Sequence, residues 1–173
     1  MADDLEQYGQ WLEALGADVL GLCEELTAAG PEPVEARSLQ VGVVNLVLAS
    51  LDFLPDGVEE LGYLSDAFVL RVACALAVRE GAAGAVACRL AREADGVSSF
   101  LGADYAKLVT QVRLARHNPV RGRTVDAIAA DQDVQRAFFG EVIQWAGVYR
   151  APLWVREPRT LLKLRAFFKT RLA

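Results

Sequence analysis

The sequence predicts an all-α fold, a compact bundle of about six helices, and three observations support this class. Alanine, leucine and valine dominate the 173 residues, which include only six prolines, and such a composition favours helix. Apolar residues recur at spacings of three and four along several segments, as on one face of an α-helix. No segment shows the alternation of apolar and polar residues that marks a half-buried strand. A chain of this length can bury a substantial single core.

The predicted helices lie between stop signals such as glycine, proline and asparagine. They cover residues 3–29, 34–50, 63–79, 105–117, 125–149 and 159–172. The third is expected to continue, or to restart near Gly81, into a stretch of small residues that would let another helix approach closely. We expect a helical bundle domain over residues 1–149 and a basic helical tail over residues 150–173, packed on that domain or appended to it.

The first predicted helix carries one apolar seam along its length. Asp3 or Asp4 can cap its start, and Gly30 followed by proline ends it. Its three glycines lower the helix propensity by about 1 kcal/mol each relative to alanine, so this helix depends on packing or on a partner chain. We define the N-terminal seam as Leu5, Tyr8, Leu12, Leu15, Val19, Leu22 and Leu26.

The second predicted helix is apolar on nearly all sides and is therefore expected at the centre of the bundle. It contains the longest charge-free run, fourteen residues between Arg37 and Asp52. A membrane-spanning helix needs about 20 predominantly apolar residues, and the next apolar stretch, from Ala67 to Cys88, is interrupted by charges such as Arg71. The amino terminus is acidic, unlike a secretion signal. The sequence thus predicts a soluble, cytoplasmic protein.

The later helices have recognisable ends. Ser98 or Ser99, then Asp104, can begin the fourth predicted helix, and Asn118 with the proline after it ends that helix. The fifth, residues 125–149, contains bulky apolar residues expected in the core. The final helix places four apolar residues on one side: Leu161, Leu164, Phe168 and Leu172.

The segment "SLDFLPDGVEELGYLSD", residues 50–66, holds five carboxylates around one proline and two glycines. Pro55 pushes the residue before it out of the helical region, and Asp56 has the capping-box spacing to a glutamate three residues later. Gly62 can supply a left-handed residue, while Ser65 and Asp66 are suited to the start of the next helix. These features predict a tight helical-hairpin corner in which the carboxylates serve the backbone.

A metal site is the alternative for the same segment. Asp52, Asp56 and Asp66 carry the hard oxygens that calcium and magnesium prefer. Their spacing matches no EF-hand, however, so capping is the favoured interpretation and the sequence predicts no cofactor.

This segment also resembles the signature of the YkvA-like family, bacterial and eukaryotic domains of unknown function. The resemblance covers about residues 36–80, and three positions depart from the pattern: Ser50, Glu59 and Ser65 stand where two prolines and an aspartate are usual. It implies no activity, although some members are described as membrane proteins. The matching residues are Asp52, Leu54, Pro55, Asp56, Leu61, Gly62, Tyr63, Leu64 and Asp66.

Charge is distributed unevenly along the chain. Residues 1–66 hold fourteen acids and one base, a net −13, whereas residues 67–173 hold seventeen bases and nine acids, a net +8. The basic tail either lies across the chain's own acidic first helix or meets an anionic partner. The residues expected to contact such a partner are Arg150, Trp154, Arg156, Arg159, Lys163, Arg165, Phe168, Lys169 and Arg171.

Catalytic signatures are missing from the sequence. His117 is the single histidine, the three cysteines form no CxxC pair, and neither a GxSxG elbow nor a phosphate-binding loop is present. Reduced thiols and a non-enzymatic protein are therefore predicted. A pI near 5.0 argues against a dedicated nucleic-acid binder.

The function predicted from these features is a helical interaction module. Its candidate partner surfaces are the N-terminal seam, which would bind another protein or a second copy, and the basic tail. The alternative is a peripheral membrane protein that binds anionic lipid through the tail bases with Trp154, Phe167 and Phe168.

Overall fold

The computed structural model describes residues 2–28, 30–50 and 59–173. Within these ranges the all-α class is confirmed, since they contain helices and no strand. The 3₁₀-helices are Gly102–Asp104 and Ala115–His117. The α-helices are α1 (Ala2–Ala28), α2 (Val34–Ser50), α3 (Glu59–Arg79), α4 (Ala85–Leu101), α5 (Tyr105–Leu114), α6 (Val125–Ala130), α7 (Gln132–Val148) and α8 (Pro158–Arg171).

Helix α3 lies at the centre of the bundle and contacts α1, α2, α4, α5 and α8. Fifteen of its 21 residues are buried, and most of these are apolar. By length and composition α3 could cross a membrane, and it is the one described helix of which this is true. However, 83% of its apolar window is buried inside the chain.

The N-terminal seam of α1 is buried within the same chain, with every member at most 6% exposed. The glycines of α1 face side chains from other elements at close range. A Cβ at Gly9 would lie 3.0 Å from Trp154, one at Gly16 would lie 2.9 Å from Tyr149, and the third glycine faces α4. The packing that the weak helix propensity of α1 requires therefore comes from its own chain, and the seam is not open to a partner as the sequence had suggested.

Helix α3 begins at Glu59, four residues before the expected start at position 63. Gly62 is accordingly helical, not a left-handed residue, and Ser65 and Asp66 lie inside the helix and are fully buried. The expected capping by these two side chains is therefore wrong. Acidic residues occupy the first turn of α3, where their negative charge interacts favourably with the helix dipole.

The other residues expected at the 50–66 corner, Asp52, Pro55 and Asp56, lie outside the described residues. Their capping and their metal binding both stay predictions. The described part of the corner consists of the ends of α2 and α3.

Of two chain breaks, the one near Gly81 was an expected alternative and the one at Asp131 was not expected. Helix α4 restarts at Ala85 after Gly81, whose φ of 103° favours glycine. The amides of Val86 and Ala87 donate to the Glu25 carboxylate of α1 at 2.6 and 3.2 Å, so another helix caps α4. The expected single helix over 125–149 is two helices, because the Asp131 side chain accepts from two amides and starts α7.

Candidate functional site

The tail, residues 150–173, packs on α1 through the segment that precedes α8. The indole Nε1 of Trp154 donates to the Leu5 carbonyl oxygen at 2.8 Å, and the indole is only 9% exposed. Arg156 Nε lies 2.9 Å from a carboxylate oxygen of Glu6. The acidic first helix thus holds part of the basic tail.

The inner face of α8 joins the core. Phe168 is 1% exposed and stacks on Phe68 of α3, with ring centroids 5.1 Å apart and 19° between the planes. Phe167 is half-buried. Trp154 and Phe168, which we had expected to contact a partner or a membrane, are therefore buried core residues.

The outer face of α8 combines positive charge with exposed apolar side chains. Leu162 is 68% exposed, and Leu153, just before the helix, is 85% exposed. Residues 158–173 contain no acid. We define the α8 outer surface as Leu153, Val155, Arg159, Leu162, Lys163, Arg165 and Lys169, all of which are exposed.

The charges of the α8 outer surface differ in how they are engaged. Arg159 lies 2.6 Å from Glu157, and the Arg165 guanidinium lies 4.9 Å from the centre of the Phe100 ring. Lys163 and Lys169 have no ion-pair partner in the part of the chain that the structure describes. These two ammonium groups are the tail bases most available to an anionic partner.

Leu153 and Val155 lie beside these bases, since they line one shallow depression together with Arg159 and Lys163. Glu60 of α3 lies at its edge. The depression measures about 70 Å³, enough for one side chain of a partner and too small for an organic ligand.

Three of the expected tail residues lie elsewhere. Arg150 donates to the carbonyl oxygens of Gly147 and Tyr149 at the end of α7, Arg156 is paired with α1, and the Arg171 guanidinium lies 6.0 Å from the Phe167 ring. Of these arginines, Arg156 joins the tail to α1, whereas the contacts of Arg150 and Arg171 are local.

A second group of arginines, around the 117–123 turn, is paired with acids. Arg123 forms a two-pronged ion pair with Glu141 at 2.7 and 2.8 Å, and Arg121 reaches the same carboxylate at 3.0 Å. These arginines hold the pKa of Glu141 below its ordinary value. Arg116 pairs with Glu35 at 2.9 Å. This turn therefore presents much less net positive charge than α8.

The structure also contains a buried ionic cluster that sequence reasoning did not find. Arg71 of α3 is 1% exposed and lies 2.7 Å from Glu93 and 3.3 Å from Asp18. Arg89 lies 2.6 Å from Asp18, and the Arg71 guanidinium stacks 4.1 Å from the Trp11 ring centre.

This cluster is suited to structure rather than chemistry. Arg71 donates from Nε, Nη1 and Nη2 to Glu93, the Ala67 carbonyl and Asp18, so its donors already have acceptors. Burial lowers the pKa of Arg71, and the carboxylates of Glu93 and Asp18 oppose that shift. The cluster links α1, α3 and α4 and fixes their positions relative to one another.

Two of the three cysteines, Cys23 and Cys74, are buried. Burial raises the pKa of the Cys23 thiol to about 12 and raises that of Cys74 as well, which disfavours the thiolate nucleophile. Among the described residues no three His, Cys, Asp or Glu side chains are grouped so that they could hold a metal ion. Asp66 is buried inside α3.

No protein-family model matches the chain, and neither the curated proteins nor the solved structures contain a significant match. The resemblance to the YkvA-like family therefore stays a prediction.

Proposed function

We propose that this chain is a non-enzymatic interaction module that binds an acidic segment of another protein through the α8 outer surface. The observation that carries this proposal is the two-sided character of α8. Its inner face is anchored in the core by Phe168, whereas its outer face holds Lys163 and Lys169 without acidic partners among the described residues, around the exposed Leu162.

Charge and apolar area have separate roles in such an interface. Basic side chains around an apolar centre steer an acidic segment and fix its orientation. Covering an exposed leucine contributes roughly 1.5–3 kcal/mol, and Leu153 and Leu162 are both available. An acidic amphipathic helix with apolar residues opposite Leu162 meets both requirements.

A membrane surface fits the exposed groups less well. Membrane attachment through the tail was expected to use Trp154, Phe167 and Phe168. Trp154 and Phe168 are engaged in the core, and Phe167 is half-buried. The apolar side chains that remain exposed on the α8 outer surface are aliphatic, so this surface lacks the aromatic rings on which the membrane interpretation depended. Binding of the tail bases to anionic lipid is therefore the competing outcome of the test.

Charge reversal at two positions tests the proposal in the full chain. Truncating residues 150–173 would remove Trp154 and Phe168 from the core, so Lys163→Glu with Lys169→Glu is the better perturbation. The control is Arg92→Glu with Arg113→Glu, because both arginines are exposed and the double change alters the net charge equally.

Each protein is used as bait in extracts of its native cells, and bound segments are identified by cross-linking and peptide sequencing. We expect the wild type and the control to capture the same acidic segment. The α8 variant should bind it at least roughly fivefold more weakly, since two attractive pairs become repulsive, and added salt should weaken the wild-type complex.

Flotation with vesicles of phosphatidylserine and phosphatidylcholine separates the alternatives. Flotation of the wild type that is lost in the α8 variant, without any acidic protein partner, would replace the proposal with lipid binding. Capture that is equal in the α8 variant and the control would reject the α8 outer surface altogether.

A further inference from the structure

A cavity of about 230 Å³ lies between the first half of α2 and the short helix α6. Its walls include Val41, Val125 and Ile128, which are all buried. Val34 also lines it and is 75% exposed, so the cavity opens to solvent on that side. Its volume is below the roughly 300–1,000 Å³ of drug-sized sites, which suits a smaller molecule.

Arg37 is the charged donor of this cavity and the only base in residues 1–66. Its Nη1 donates to the Leu26 carbonyl oxygen at the end of α1, at 2.8 Å. An arginine has five N–H donors, and no acidic side chain in the described ranges forms an ion pair with this one. The bond to α1 thus orients a guanidinium whose charge is not neutralised.

Ser38 supplies a second polar group. It lines the cavity and is only 8% exposed, yet its hydroxyl makes no hydrogen bond within the described part of the chain. The Ser38 hydroxyl oxygen is not among the buried polar atoms that lack a partner, so it is accessible from the cavity. An accessible hydroxyl on a cavity wall can donate to a ligand that enters the cavity.

Glu32 is the acid of the same cavity. Its Oε1 accepts from the Gln40 amide at 2.7 Å, so the carboxylate is held at the rim. The negative charge of Glu32 opposes an anionic ligand and attracts a cationic one. Removing the charge of Glu32 should therefore strengthen the binding of an anionic ligand and weaken the binding of a cationic one.

We propose that this cavity binds a small carboxylate with an apolar body. The carboxylate accepts from the Arg37 guanidinium and the Ser38 hydroxyl, because the planar fork of an arginine matches the two oxygens of a carboxylate. The apolar body lies against Val41, Val125 and Ile128. This site is separate from the α8 outer surface and does not depend on the proposed protein interaction.

The two isoleucines of the chain provide a built-in probe and control. Ile128 lines the cavity and is 1% exposed, whereas Ile143 of α7 is 54% exposed and is not among the lining residues. Labelling only the δ1 methyl group of isoleucine with carbon-13 gives one NMR signal for each of the two residues. Sodium benzoate and sodium hexanoate are titrated into the full chain to millimolar concentrations, with benzyl alcohol and benzylamine as neutral and cationic analogues.

We expect at least one of the two carboxylates to shift the Ile128 methyl signal saturably while the Ile143 signal stays in place. Benzyl alcohol and benzylamine should bind at least tenfold more weakly than the carboxylate. The proposal would be overturned if neither carboxylate shifted the Ile128 signal saturably. It would also be overturned if the neutral and cationic analogues bound as tightly as the carboxylate, because the cavity would then select only for apolar character.

Variants assign the charges. Ser38→Ala should weaken benzoate or hexanoate binding severalfold, and it breaks no hydrogen bond of the folded chain. Arg37→Gln should weaken it at least tenfold, and Glu32→Gln should strengthen it. The control is Arg116→Gln, which removes the same charge from a residue paired with Glu35 outside the cavity. Unchanged affinity in both Ser38→Ala and Arg37→Gln would reject the site, as would weaker binding in Glu32→Gln.

Discussion

Removing the buried guanidinium of Arg71 is the sharpest test of how the core is held together. In Arg71→Met an apolar side chain replaces one that is 1% exposed, bonds to Glu93, Asp18 and a backbone carbonyl, and stacks on Trp11. The Asp18 side chain is 3% exposed and loses one of its two arginines. The variant therefore leaves negative charge in the core that is only partly compensated.

The magnitude follows from the geometry. Breaking a buried ion pair by removing one partner costs roughly 3–5 kcal/mol, and the low end applies here because Arg89 still reaches Asp18 at 2.6 Å. We expect Arg71→Met to lower the free energy of unfolding by about 3 kcal/mol. For a chain of this size that loss corresponds to a fall of roughly 6–12 °C in Tm.

Urea denaturation followed by circular dichroism measures this change. Arg89→Met is the matched control, because it makes the same substitution in the same cluster at a side chain that is 43% exposed; it should cost about 1 kcal/mol or less. Combining Arg71→Met with Asp18→Leu should recover part of the loss, since both buried charges are then gone. Equal effects of Arg71→Met and Arg89→Met would refute the reasoning.

Three further predictions concern other contacts of the bundle. Gly84→Ala should lower the free energy of unfolding by about 1–2 kcal/mol, because the new Cβ would collide with the Glu25 carboxylate that caps α4. Gly140→Ala lies on an open helix face and should instead raise it by about 0.5–1 kcal/mol in the same denaturation assay. Trp154→Phe should lower the free energy of unfolding by about 1 kcal/mol, because the hydrogen bond to α1 is lost. It should also speed amide hydrogen exchange in α8. Unchanged exchange would show that this bond does not hold the tail. The arginine partners of Glu141 lower the pKa of its carboxyl group in the folded chain. The contribution of Glu141 to folding stability should therefore be complete above about pH 5 and disappear as the pH falls through that lowered pKa. A stability difference between wild type and Glu141→Gln that persists at pH 2 would contradict this.

Helix positions were predictable where the apolar period is long. The seam of α1 follows from spacings of three and four residues, and the bounds of α2 follow from the stop signals on either side of it; neither needs tertiary information. The break at Asp131 was missed, although an aspartate followed by a helical pattern is an N-cap signal. Gly62 was misread as a breaker because a glycine can also sit inside a well-packed helix.

The orientation of the tail was partly readable as well. Phe168 shares the spacing of Leu161 and Leu164, which places it on the buried side of α8, although an aromatic ring among bases also matches a membrane contact. Helical periodicity was the better guide here, since one face of an amphipathic helix must be buried.

The polar sites depend on tertiary packing. Arg71 is visible in the sequence as a charge inside an apolar stretch, but its partners come from α1 and α4, dozens of residues away. The cavity beside Arg37 and Ser38 likewise forms only where α6 packs on α2. The sequence shows where such charges and hydroxyls lie along the chain, but local patterns do not predict which residues they contact.

A photo-cross-linking amino acid at position 162 tests the central claim most directly, that the outer face of α8 receives an acidic protein. The full chain carrying this residue is irradiated in its native cells, with the same probe at Ile143, an exposed position on α7, as the control. We predict that the position-162 probe links to a protein peptide rich in aspartate and glutamate, and that Lys163→Glu with Lys169→Glu prevents this product. Cross-links to lipid, or the same product from position 143, would contradict the claim.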